Sequence, residues 1–170
     1  MDASAESFVS YRWARPEDYE TLGQIMYDAI HAQPSAYSSA QRQAWCPKPP
    51  SGPDWNAKLT AQHVAVAVQG QHLLGMVTLG PDGYLDLAFL LPEARGNGHL
   101  RQMVSMIQTR ALSLELVAIT THASLTAQAP FAALGFDLLR HETVERLGQQ
   151  LPRALMRLSL ETAGPDGAIR

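Results

Sequence analysis

Cysteine is almost absent from this chain. Cys46 stands alone, so no disulfide can form within the molecule and no thiolate zinc site can be assembled. Positive charge is scarce as well. Thirteen basic residues face sixteen acidic ones, a formal net charge of −3. That excludes a nucleic-acid binder working through bulk charge, while leaving room for a local basic pocket around a phosphorylated ligand. No apolar run is long enough to cross a bilayer, so no membrane partner is expected. The opening Met1–Glu6 has neither a basic n-region nor an apolar h-region, so the expectation is a cytoplasmic protein without a secretory signal. No internal repeat is found. Charged residues make up 17% and apolar residues 46% of 170, the balance of a chain that buries a core. That length suits a single domain over 1–170, with 1–7 and 161–170 as mobile tails.

What the chain does have is periodicity that changes along its length. Phe8–Trp13 reads as a strand. A helix opens at Pro16-Glu17-Asp18, where proline and acids favour a first turn, and carries Leu22, Ile25, Met26, Ala29 and Ile30 at helical spacing until Gln33-Pro34. Ser38–Ala44 reads as a short helix, Cys46–Pro53 as a proline-rich loop, and Trp55–Ala61 as one or two helical turns. The period then becomes extended. His63–Val68, His72–Leu79 and Tyr84–Leu91 are strands joined by Gln69-Gly70-Gln71 and Pro81-Asp82-Gly83. A helix over Gly98–Ser113, a strand over Glu115–Thr121, a short helix over Ala127–Leu134 and a closing pair, Phe136–Glu145 with Arg153–Leu160, complete the order. The class is mixed α/β, with a mostly antiparallel central sheet of about seven strands flanked by helices and one parallel step across a glycine turn.

That turn, Arg95-Gly96-Asn97-Gly98-His99-Leu100, follows a strand that stops at Pro92 and leads into a helix. The first turn of a helix carries unpaired N–H groups and the positive end of its dipole, which suits phosphate. A dinucleotide fingerprint would need a third glycine where Arg101 stands, and the Gly-Lys-Ser/Thr of a P-loop is absent. The stretch resembles the acyl-CoA-binding motif of the GNAT acetyltransferases, Arg/Gln-x-x-Gly-x-Gly/Ala, with Arg95 and Gly98 in register. A second block, Ser124-x-x-Ala127-x-x-x-Phe131-x-x-x-Gly135-Phe136, is similar to the family's later Asn-x-x-Ala-x-x-x-Tyr-x-x-x-Gly-Phe motif. Tyr37–Trp45, Trp55, Ala129-Pro130-Phe131 and the final strand ending in Met156 resemble a YafP-like bacterial branch. The resemblance covers roughly residues 9–160.

The resemblance implies a GNAT fold and an enzyme that transfers an acetyl group directly from acetyl-CoA to an amine of a small molecule or an exposed peptide amine. No metal and no covalent enzyme intermediate is expected. By that likeness Phe89, Leu90 and Leu91 flank the pantetheine arm, and the turn from Arg95 through Gly96, Asn97, Gly98, His99 and Leu100 to Arg101 holds the pyrophosphate. Ser124 and Phe131 complete the cofactor site. Two positions depart from the family. Leu100 replaces a small residue, so it either turns away along the helix or weakens cofactor binding. Phe131 replaces a tyrosine credited with protonating the CoA thiolate, and shares a helical face with Ala127 and Leu134.

An ammonium must lose its proton before attack, since an alkyl amine has a pKa near ~10. Asp86 and Tyr84, on one side of a strand by period two, and His122 are the candidates for that proton chemistry. Tyr27, His31, Tyr37 and Trp45 are candidates for the acceptor pocket, as an aromatic wall. An exposed closing strand would allow a homodimer. The reading from another class is a degenerate GNAT domain that binds CoA as a sensor or interaction module without turnover.

Overall fold

A computed structural model describes residues 8–161; the expected tails 1–7 and, beyond Glu161, 162–170 lie outside the described residues. Seven strands form one sheet: β1 (Val9–Trp13), β2 (His63–Gln69), β3 (His72–Leu79), β4 (Tyr84–Leu90), β5 (Ala118–Ser124), β6 (Asp137–Arg146) and β7 (Gln149–Ser159). Their spatial order is β1-β2-β3-β4-β5-β7-β6, antiparallel throughout except where β4 meets β5. Alternation of β2 builds both faces. Val64, Val66 and Val68 pack under α1 (Tyr19–His31) and α3 (Pro53–Thr60), while Ala65 and Ala67 pack with α4 (His99–Ser113). Trp55 of α3 is locked by an indole N–H donated to the Tyr19 carbonyl at 2.7 Å. Ser38 caps α2 (Ser39–Trp45) by a reciprocal pair with Gln41: the Gln41 N–H donates to Ser38 Oγ, and the Ser38 N–H donates to Gln41 Oε1.

Two features position the site. First, β4 and β5 pair at only two positions, Tyr84 with Thr120 and Leu85 with Thr121, and then separate. The β5-facing side of β4 is left open beyond Leu85, in the wedge where ligands of mixed sheets tend to bind. Second, β4 carries a bulge. Val77 pairs with Ala88 and Leu79 with Leu85, so Asp86 and Leu87 together oppose the single residue Thr78. The buried Thr78 Oγ1 accepts the Leu87 N–H at 3.0 Å. The bulge shifts the alternation: Leu85 belongs to the α4 side, Leu87 to the α1 side, and Ala88 again to the α4 side.

Two strand boundaries differ from the sequence reading. Glu115 is not in β5; it sits in the turn after α4 with φ of 61°, and the strand runs on through His122 to Ser124. The stretch 149–152, missed because of Pro152, belongs to β7. Pairing between β7 and β5 stops at Arg153 opposite Ser124, so Pro152 has β6 as its one strand neighbour and its missing N–H breaks no ladder.

Candidate active site

Two clefts open on the wedge and share Tyr37, Trp45, Phe89 and Ser124. The larger, of about 380 Å³, runs from Ala88–Leu90 of β4 to the start of α4, with Phe131 of α5 (Gln128–Ala133) in its wall. Gly98 precedes α4 in the left-handed region at φ 81°, a conformation that costs any residue with a Cβ, and no side chain caps the helix. The first N–H groups of α4 therefore have neither an intrahelical partner nor a cap; the helical ladder begins with Gln102 N–H donating to Gly98 O at 3.2 Å. Gly96, His99, Leu100 and Arg101 line the same end of the cleft. Arg95 lines it too and donates to the Ala29 carbonyl at 3.2 Å, tying the turn to the end of α1. His99 Nδ1 and the Tyr11 hydroxyl are 2.7 Å apart.

Leu100 does two things at once. It packs against the α4 core while lining the cleft, so its bulk is partly absorbed below the helix. Phe131 is buried, edge-on to Phe136 at 4.9 Å. Asn97 is exposed with its side chain turned to the Arg95 carbonyl and does not line the cleft. Leu91 does not line it either, and its N–H is spent on the Leu74 carbonyl.

The second cleft, about 190 Å³, holds Tyr84, Asp86 and His122, the three residues singled out for proton chemistry. The β4 bulge lets Tyr84, Asp86, Leu87 and Phe89 line one cavity. Tyr84 Oη and His122 Nδ1 are 2.6 Å apart, and His122 Nε2 lies 2.9 Å from Glu142 Oε1. The carboxylate accepts from Nε2–H, which leaves Nδ1 as the acceptor of the Tyr84 O–H. Arg153 Nε donates to the same Glu142 oxygen at 2.9 Å. Burial, then the charge of Arg153, pushes His122 below the ordinary histidine value, against the opposing pull of Glu142. Burial, then the charge of Asp86, raises Tyr84. Burial acts to raise Glu142, but His122, Arg153 and Arg140 outweigh it and hold the carboxyl low. Asp86 Oδ2 accepts from Gln62 at 3.0 Å and lies 3.3 Å from Lys58 Nζ.

Of the aromatic residues assigned to the acceptor pocket, Tyr37 and Trp45 line both clefts, whereas Tyr27 and His31 line neither. The latter two stack at 4.2 Å, and His31 Nε2 meets the Cys46 carbonyl at 2.7 Å. The Tyr37 hydroxyl is already committed: it donates to Pro152 O and accepts the Leu125 N–H at 3.0 Å. Glu142, Arg153, Lys58 and Gln62 escaped sequence reading. Glu142 and Arg153 face each other across the β6–β7 hairpin, and placing its turn at Leu147-Gly148 would have paired them.

Residues 35–157 match a family model described as an acetyltransferase (GNAT) domain. The uncharacterized N-acetyltransferase YafP of Escherichia coli (strain K12) is 27% identical over 150 residues, 88% of this chain and 95% of that protein. A GCN5-related N-acetyltransferase structure from Rhodopseudomonas palustris superposes with a TM-score of 0.82 at 26% identity, covering 92% of this chain and 98% of that one. The putative acetyltransferase yncA from Salmonella typhimurium, solved with its cofactor acetyl-CoA, shares the fold at a TM-score of 0.65 and 19% identity, over 95% and 100% of the two chains. Family model, relative and fold agree with one another: the chain belongs to the GNAT acetyltransferases, in a YafP-like branch, and is an acyltransferase.

Proposed function

We propose that the protein transfers the acetyl group of acetyl-CoA directly to an amine of a small molecule or an exposed peptide amine. The observation that carries this reading is the meeting of the two clefts at Trp45, Phe89 and Ser124, one suited to a phosphorylated donor and the other holding a Tyr84–His122–Glu142 relay. Acetyl-CoA, when bound, supplies a thioester acyl group. The N–H groups at the start of α4, with Arg95, His99 and Arg101 nearby, hold its pyrophosphate. The open side of β4 at Ala88–Leu90 holds the arm.

The chain's own work is proton movement. Neutral His122 accepts the Tyr84 proton at Nδ1 as Tyr84 Oη takes one from the incoming ammonium. Glu142 stabilises the imidazolium that results. Asp86, held by Lys58 and Gln62, tunes Tyr84 rather than acting as the base itself. Phe131 has no proton to give, and a departing thiol with a pKa near ~8.5 tolerates that. The test is a thermal shift with acetyl-CoA, then thiol release over an amine panel with wild type, Tyr84→Phe and His122→Gln. Acetyl-CoA is expected to raise the Tm, and each variant to lose about 10²-fold or more in kcat. Binding without thiol release on any amine would instead support a CoA-binding module without turnover.

A further inference from the structure

The acceptor cleft carries a cation that the relay does not use. Along β6, Glu142, Val144 and Arg146 alternate onto one face by the two-residue period. Val144 and Arg146 line the cleft, and Glu142 backs it through His122. The other cations of the cleft are neutralised: Lys58 lies against Asp86 and Arg153 against Glu142. Arg146 has no acidic partner among the described residues; the adjacent Glu145 accepts from Gln150 instead. In a protein of net charge −3, this cleft thus carries one guanidinium without an acidic partner among the described residues. Met26, Leu87, Val144 and Leu151 add apolar surface to the same cleft. The cavity, near 190 Å³, is smaller than the roughly 300–1,000 Å³ of drug-sized ligand sites.

We propose that the acceptor is a small amino acid, an amine bearing a carboxylate, with its amine at Tyr84 and its carboxylate on Arg146. The inference rests on the acetyltransferase reading and deepens it. One guanidinium matches one monoanion, and its planar fork suits a carboxylate's two oxygens. The apolar part of the lining accommodates the carbon skeleton, and the relay removes the ammonium proton. The acetylated product loses the ammonium charge and keeps the carboxylate.

The experiment measures thiol release with α-amino and ω-amino acids, each beside its own carboxamide, with rates corrected for the free-amine fraction. For the best acceptor, kcat/KM is expected to be about tenfold higher for the acid than for the amide, and this ratio to shrink as salt is raised. Arg146→Gln is expected to bring the ratio to within about twofold of one, and Arg146→Lys to restore part of it, since it keeps the charge but loses the fork. Equal use of acids and amides, or a ratio that Arg146→Gln leaves intact, overturns the inference while leaving acetyl transfer standing. Absence of thiol release from any amine overturns the acetyltransferase reading, and this inference with it.

Discussion

His122 illustrates how one side chain is set by its neighbours. Its Nε2–H points at Glu142, which fixes the tautomer and leaves Nδ1 basic toward Tyr84. Burial and Arg153 both disfavour the imidazolium, so neutral His122 predominates at neutral pH. With His122 in the proposed proton relay, the acid limb of kcat/KM is expected to fall below the ordinary histidine value of about 6.5. Arg153→Gln removes a positive charge that opposes protonation, so that limb moves to higher pH. A pH–rate profile of the variant with one fixed acceptor checks the sign; a limb that stays put or moves to lower pH contradicts the role given to Arg153. Phe131 stands at the other extreme. It is sealed against Phe136 and contributes packing to the cleft wall.

At the scale of the element, the β4 bulge and the β4–β5 separation do most to shape the site. A regular β4 would place Leu85 and Leu87 on one face; the extra residue places them on opposite faces and lets Tyr84, Asp86 and Phe89 share one cavity. The bulge leaves a buried N–H at Leu87, and Thr78 supplies its acceptor. Thr78→Val keeps the shape and removes that acceptor. An unsatisfied buried N–H costs about 1–3 kcal/mol, to be read as a lower midpoint in urea with an unchanged slope. An unaltered midpoint would mean that the N–H finds another partner.

At the scale of the molecule, α1 and α3 cover one face of the sheet and α4 the other, and the two clefts sit where β4 and β5 part. Acid stability follows from groups spread through this frame. His63 and His122 are both lowered, first by burial and then by the charges of Arg110 and Arg153 respectively. The unfolded chain takes up those protons first, so stability is present above about pH 6.5 and is lost as pH falls through the histidine range. Asp18 is held low by its hydrogen bonds with Arg12, in spite of burial, so its contribution is present above about pH 4 and lost below it. Melting temperatures from pH 8 to pH 3 are thus expected to fall in two stages. His63→Gln is expected to flatten the first stage, and an unchanged profile in that variant would remove His63 from the account.

Most of the elements, and the glycine turn before α4, were legible in the amino-acid sequence alone. Val64–Val68 alternate because a strand buried on both faces needs apolar side chains on each. Gly96 and Gly98 announce a turn with positive φ because side chains resist that region. Their register after Pro92, together with the Ser124–Phe136 block, is enough to identify the family. What the second cleft contains was settled only by the tertiary structure. Glu142 and His122 are twenty positions apart and meet because β5 and β6 both flank β7; Lys58 reaches Asp86 from a helix on another layer. Sequence periodicity reports which face of its own element a residue occupies. It carries no information on which element lies opposite, and that pairing joined Tyr84, His122 and Glu142 in one hydrogen-bonded chain and left Arg146 without a counter-ion among the described residues.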